Sequence, residues 1–300
     1  MSSEGMLAIA AAAWAWTNLI EPFHLRLRRR SLTLPHLSPY LDGLTILHLS
    51  DTHIRKMGAL ERKLIRLLSH TSADIAVLTG DLVDSDSGIQ PLREVVMHVR
   101  ASLGIYAVWG NAEHKPSRLS RRDSLERVLE AAGVHVLINK ARTLTYGNAT
   151  IWLAGVDDPH SGHEDLTQVT PPSRGADLHL LLAHSPDILL RPLTSRFDLI
   201  LCGHTHCGQI RIPKWGALWS HTRLGRWAGD NILYPEDIAR RLSRPLPQPC
   251  VVVSPGVATV GSPLFKARLF CPPEVTLIDL CTSSSAPVRT PTKASPAPGI

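Results

Sequence analysis

Leu44-Thr-Ile-Leu-His-Leu-Ser50 runs straight into Asp51-Thr52-His53. An apolar strand-length run that ends abruptly in metal-binding residue types is the pattern on which the fold turns. It recurs four times. Residues 75–79 (IAVLT) lead into Gly80-Asp81, and residues 105–109 (IYAVW) into Gly110-Asn111. Residues 178–183 (LHLLLA) lead into His184, and residues 198–202 (DLILC) into Gly203-His204-Thr205-His206.

Helical stretches separate the earlier runs. Leu60, Leu64, Leu67 and Leu68 share one face, and Leu92, Val95, Val96 and Val99 another. A third helix is expected over residues 124–132, with Asp123 and Glu126 as a capping box and Gly133 as its stop. The second half reads as strand at 150–156, 208–212, 251–254 and 274–280, with few helices. A β-α alternation followed by a strand-rich half predicts an α/β protein of two packed sheets with helices outside, as one domain over residues 21–281. In such sheets the carboxyl ends of the strands form the ligand edge. Residues two apart in extended chain point the same way, so Asp51 with His53, and His204 with His206, are expected to converge.

Two Asp, one Asn and four His (Asp51, His53, Asp81, Asn111, His184, His204, His206) supply seven N/O donors and no thiolate. That is too many for one tetrahedral zinc and suits two ions sharing a carboxylate. Imidazole with carboxylate fits Mn, Fe, Zn or Ni. Two such ions clamp a phosphoryl group.

Composition agrees with this class. The 300 residues are 44% hydrophobic and 19% charged, with 20 Gly and 23 Pro, which excludes collagen, coiled coil, wholesale disorder and a multi-span membrane protein. The net charge of +6 suits phosphate-bearing or anionic-membrane partners. Five widely spaced cysteines, with no C-x-x-C, argue against a disulfide framework or zinc ribbon.

Residues 5–20 carry no charge. As a helix they rise roughly 24 Å, short of the roughly 30 Å hydrocarbon core. Arg26, Arg28, Arg29 and Arg30 follow, so an inserted or interfacial segment 1–20 keeps the body on the cytoplasmic side of a bacterial inner membrane. The alternative is a soluble cytoplasmic protein with this segment packed on its body. Phe23, Leu25 and Leu27 alternate as in a strand. The Ser/Pro/Thr-rich tail 282–300 is expected to be disordered.

The string Asp51-Thr-His53, Gly80-Asp81, Gly110-Asn111, His184 and Gly203-His204-Thr-His206 resembles the calcineurin-like metallophosphoesterase superfamily, over about residues 43–280. The apolar N-terminus, LDGLTILHLSDTH and GHTHCGQIRIP resemble its bacterial membrane-associated branch. That branch includes small phosphodiesterases and UDP-2,3-diacylglucosamine pyrophosphatases of lipid A synthesis. The resemblance implies a four-layer α/β/β/α sandwich of two packed mixed sheets. It implies one divalent ion on Asp51, His53, Asp81 and His206, and a second on Asp81, Asn111, His184 and His204. It further implies a hydroxide between them that attacks phosphorus.

One position departs. The family's G-N-H-[DE] reads Gly110-Asn111-Ala112-Glu113-His114 here. The missing histidine is the usual donor to the leaving oxygen, and His114 and Glu113 are the candidates to replace it. Trp215, Trp219 and Trp227 with Arg211, Arg223 and Arg226 either line the substrate entrance or form a packed satellite. The basic run Arg55, Lys56, Arg62, Lys63, Arg66 reads as a solvated helix face or a phosphate or membrane contact. A phosphate-bearing, lipid-linked substrate is expected. A nuclease or cyclic-nucleotide phosphodiesterase is the first rival, although the scattered basic residues make no groove for nucleic acid. A metal-bound scaffold without activity, motivated by Ala112, is the second.

Overall fold

The computed structural model describes residues 2–34, 36–171, 175–261 and 266–282. The tail expected to be disordered lies, but for Thr282, outside the described residues. In chain order the first half holds α1 (Ser3–Ala15), β1 (Arg26–Thr33), β2 (Thr45–Leu49), α2 (Ala59–Ser69), β3 (Ile75–Thr79), α3 (Ile89–Val96), β4 (Ile105–Val108), α4 (Arg122–Ala131) and β5 (Val134–Val136). The second half holds β6 (Lys140–Tyr146), β7 (Ala149–Gly155), β8 (Leu178–Leu182), β9 (Leu199–Cys202), β10 (Arg211–Ile212), β11 (Gly216–Ala217), β12 (Ile232–Leu233), α5 (Pro235–Leu242), β13 (Cys250–Val253) and β14 (Glu274–Cys281).

Two six-stranded sheets result, in the orders β1-β14-β2-β3-β4-β5 and β12-β13-β9-β8-β7-β6, with β10 and β11 as a separate hairpin. Both are mixed. β14 returns from the end of the chain to lie antiparallel to β2, while β2 to β5 run parallel. In the second sheet the edge strands β6 and β12 are antiparallel to their neighbours.

Alternation along each strand sorts the side chains into three apolar layers. Ile75 and Val77 point between the sheets, where they meet Ile151, Leu180 and Leu201 of the second sheet. Ala76 and Leu78 point outward to Leu64, Leu92 and Leu125 on α2, α3 and α4. The outer face of the second sheet, with Leu181, Ile200 and Val251, is covered by Ile238 of α5 and by short 3₁₀ turns such as Pro186–Leu190. The four layers are those of an α/β/β/α sandwich, the fourth built more of turns than of helix.

Three local expectations need correction. α4 begins at Arg122 without a side-chain cap, and the Asp86 carboxylate instead accepts the Ser120 and Arg121 N–H groups just before it. The strand expected through Phe23, Leu25 and Leu27 starts only at Arg26: Phe23 closes a 3₁₀ turn and is 54% exposed, Leu25 is buried just before β1, and Leu27 on this edge strand is 41% exposed. α1 is not packed on the body: none of its residues is buried. It continues into a π-helical turn, Trp16–Ile20, where attachment begins. The Arg268 N–H donates to the Thr17 carbonyl, and the Glu21 carboxylate accepts the Cys271 N–H and the Trp16 indole N–H. No helix among the described residues is long and apolar enough to cross a membrane.

Candidate metal centre

The expected ligand residues all follow strand carboxyl ends: β2 for Asp51 and His53, β3 for Asp81, β4 for Asn111, β8 for His184, and β9 for His204 and His206. The paired sheets bring these ends to one edge. Their convergence does not come from extended chain. Asp51 (φ 51°), His53 (43°), Asp81 (50°), His204 (66°) and His206 (48°) all lie in the left-handed region. Each such residue costs on the order of 1–2 kcal/mol of backbone strain, and clustered strain of this kind marks functional sites. Close approach also demands two glycines. A Cβ on Gly203 would land on the Ser50 hydroxyl and the Asp51 carboxylate, and one on Gly110 would strike the Asp81 carboxylate.

The donor atoms converge in two adjoining groups, Asp51, His53 and His206 in one and Asp51, Asp81 and His184 in the other, with Asp81 reaching toward both. In the first, His206 Nε2 is 3.4 Å from Asp51 Oδ1 and His53 Nε2 is 3.5 Å from Asp81 Oδ2. In the second, His184 Nε2 lies 3.4 Å from Asp81 Oδ1, 3.3 Å from Asn111 Oδ1 and 3.1 Å from His204 Nδ1. Neighbouring side chains set which nitrogen carries a lone pair. His184 Nδ1 sits 2.7 Å from the Thr79 carbonyl and must donate to it, which leaves Nε2 as an acceptor among acceptors. His53 Nδ1 faces Asp84 Oδ1 at 2.9 Å, the carboxylate–imidazole arrangement of metal-bound histidines. The Nε2 atoms of His53 and His204 are buried without a hydrogen-bond partner. Lone pairs gathered out of water with nothing to bind are what a cation would satisfy. The donor set fits divalent ions.

Electrostatics point the same way. Burial pushes the Asp51 carboxyl up, whereas for Asp81 it is outweighed by His184, His53 and the Ala112 N–H, which hold the group below its ordinary range. Burial would depress His184, but Asp81 and Asp51 raise it to about 9. His53 is raised by Asp84 and Asp81 against its burial. His204 and His206 are driven well down by burial and by neighbouring imidazoles. The buried acids thus favour positive charge at this edge.

Neither candidate donor after Ala112 is free. The Glu113 carboxylate is buried and accepts the Asp81, Leu82 and Gly110 N–H groups at 2.8–3.0 Å, with burial and Asp81 pushing its pKa up to about 7. It holds the Asp81 and Asn111 loops together. His114 has Nε2 2.7 Å from Asp157 Oδ1, Nδ1 3.0 Å from the Arg122 guanidinium, and its ring stacked on His163. Ala112 itself is fully buried, its N–H donating to Asp81 Oδ1 at 2.7 Å.

Other groups at this edge escaped the sequence reading. Asp84 holds His53 and is gripped by Arg55 and Arg118. Arg268, wholly buried, puts its guanidinium 3.4 Å from His206 Nδ1 and donates to the Pro255 and Ala258 carbonyls. The His160 ring lies 4.3 Å from that of His204, with Nδ1 3.3 Å from the buried Asp187. A signal for His160 existed: strand 150–156 also ends in acids, Asp157-Asp158, a sixth ending of the same kind.

Trp215 and Trp219 are 71% and 61% exposed, which excludes a packed satellite for them. Arg211 is paired with Asp230. In the basic run, Arg55 meets Asp84 and Lys63 donates to the Phe23 carbonyl. Cys207, also left-handed (φ 49°), is buried with its thiol 3.4 Å from the Val253 carbonyl, a structural role.

Residues 44–208 match the family model described as calcineurin-like phosphoesterase. The phosphodiesterase YaeI of Escherichia coli (strain K12) is 30% identical over 241 residues, 78% of this chain and 81% of that protein. The uncharacterized metallophosphoesterase YkoQ of Bacillus subtilis (strain 168) is 32% identical over 181 residues, 59% of this chain and 66% of that one, so the chain spans just under two thirds of that relative. The UDP-2,3-diacylglucosamine pyrophosphatase LpxG of Chlamydia trachomatis serovar D is 26% identical over 260 residues, 69% of this chain and 77% of that protein.

Proposed function

The chain belongs to the calcineurin-like phosphoesterase family, and on that premise we propose that it is a two-metal phosphohydrolase preferring phosphoanhydride bonds in a membrane-associated substrate. The observation that carries the two-metal reading is that one oxygen of Asp81 faces His53 and the other faces His184, as a carboxylate bridging two ions would. Asp51, His53, Asp81 and His206 would hold one ion, and Asp81, Asn111, His184 and His204 the other. Ions held there would polarise a phosphoryl oxygen and supply a water reactive at neutral pH. The protein's own part is to hold the donors rigid. Strained strand ends, the Glu113 staple, Asp84 behind His53 and the Thr79 carbonyl behind His184 all serve that end.

The bond preference follows from the leaving group. An alkoxide needs a proton as it departs, and general acid help there is worth roughly 10²–10⁴-fold. A phosphate leaving group, with a second pKa of about 6, departs largely unprotonated at neutral pH. Ala112 offers no proton, Glu113 is spent on backbone N–H groups, and both His114 nitrogens are engaged. A phosphoanhydride suits such a centre, and LpxG is a pyrophosphatase by name. The uncharged run of residues 5–20, most of it in α1, supports work at a membrane surface.

The test measures bound metal in the purified protein and then its Mn²⁺-dependent rates on bis(p-nitrophenyl) phosphate, a dialkyl phosphodiester and a UDP-linked pyrophosphate lipid. Pyrophosphate and aryl diester turnover well above dialkyl turnover is the expected ranking. Fast dialkyl hydrolysis that is lost in His160→Ala would show that His160 supplies the proton, and would overturn the anhydride preference.

A further inference from the structure

At the foot of α1 lies a groove of about 590 Å³ whose lining includes none of the expected ligand residues. It is lined by Ala13, Trp16 and Thr17 from the helical segment, by Arg26 and Arg28 from the outer strand β1, and by Phe270. Period-two alternation explains the arginines. Arg26, Arg28 and Arg30 share the groove side of β1, and Arg29 points to the other, where it meets Asp279.

The carboxylates of the groove are already used. Glu274 takes Arg30, and Glu21 takes the Cys271 and Trp16 N–H groups. Arg211 is paired with Asp230. Arg26 and Arg28 are exposed and meet no carboxylate among the described residues; Arg26 only approaches His24 Nδ1 at 3.4 Å. Two unspent guanidinium groups therefore face a cleft whose other wall is the root of a helix with every side chain unburied. Trp14, Trp16, Leu19 and Phe23 are 45–58% exposed around that root. Tryptophan at an apolar–polar boundary is characteristic of a lipid interface, and arginine forks match phosphate oxygens.

We infer that this groove is a binding site for the phosphate of an anionic phospholipid headgroup, engaged by Arg26 and Arg28 while the apolar side chains of α1 enter the acyl boundary. It goes beyond the proposed activity by naming a lipid-reading site, and its test does not depend on turnover. The bland account is that charged residues merely guard an edge strand against pairing, and the two accounts differ in what they predict for lipid.

The experiment is sedimentation of the full chain with vesicles of phosphatidylcholine alone and with about 30 mol% phosphatidylglycerol, each arginine near an anionic surface adding about five-fold in affinity. The wild-type protein should gain on the order of thirty-fold from phosphatidylglycerol, an increment erased by high salt. Arg26→Ser with Arg28→Ser should lose that increment, keep the wild-type affinity for pure phosphatidylcholine, and hydrolyse a small soluble diester at the wild-type rate. Arg29→Ser, altering the opposite face, should keep the increment. A wild-type protein indifferent to phosphatidylglycerol overturns the inference. So does a double variant that retains the gain, or an Arg29→Ser variant that loses as much as the double one.

Discussion

Asp81 turns one carboxylate oxygen toward His53 and the other toward His184, and the proposed function makes it the ligand common to both ions. Asp81→Ala should lower bound metal below that of any other single ligand variant and reduce kcat by a factor of about 10³ or more. Asn111→Ala, touching one cluster only, should retain more metal; equal retention in the two would count against a shared carboxylate. Asp84 tests the layer behind. It orients His53 without reaching the cluster, so Asp84→Ala should weaken metal affinity roughly 10–100-fold. Turnover at saturating Mn²⁺ should largely recover, and metal titration against activity separates the two effects. Asp84 was readable as the second acid of Gly80-Asp81-Leu82-Val83-Asp84, yet nothing in that spacing says that it faces His53 rather than solvent.

At the scale of elements, α1 and the turn that follows it behave differently. Because no side chain of α1 is buried, removing residues 2–15 should shift Tm by no more than about 2 °C, as surface changes usually do. Extending the deletion through residue 21 removes the Thr17 carbonyl that accepts from Arg268 and the Glu21 carboxylate that accepts from Cys271. Those bonds hold the segment whose Arg268 lies against His206. The longer deletion should therefore cost several degrees more and weaken metal retention, read by thermal melts and metal analysis on both truncations. A longer truncation as stable and as metal-replete as the shorter would show that the tie is ornamental.

Across the whole molecule, a buried polar chain links the layer between the sheets to the metal edge. His48 Nε2 is 2.9 Å from the Thr79 hydroxyl, which donates to Ser50, which donates to Asp51. Burial lowers the His48 pKa to about 3. The unfolded chain, with a histidine near 6.5, then binds more protons than the folded one between those values, so stability rises with pH across that window. Below pH 6.5 each unit of acidification should cost about 1.4 kcal/mol through His48. Urea unfolding of wild type and His48→Leu at pH 5.5 and pH 4 should show the wild type losing nearly that much more per unit. Parallel losses in the two proteins would place the acid sensitivity elsewhere.

The strands ending in Asp, Asn or His were legible along the chain because burial on both faces forces near-continuous apolar runs, and a polar residue at the end of such a run is visible without structure. The helices α2 and α3 were legible for the matching reason, a single apolar face at helical spacing. β6 was not, since Lys140–Tyr146 is an edge strand whose residues are mostly charged or polar and none is buried. The return of β14 beside β2 is a pairing across more than two hundred residues, which local pattern does not encode. The same division holds within the site. Residue types identified the seven donors, but the left-handed turns that aim five of them are imposed by the packed sheets, where a lone strand end would relax to an unstrained backbone. The fates of Glu113 and His114 were likewise decided in three dimensions, by N–H groups and carboxylates brought to them from β3 and β7.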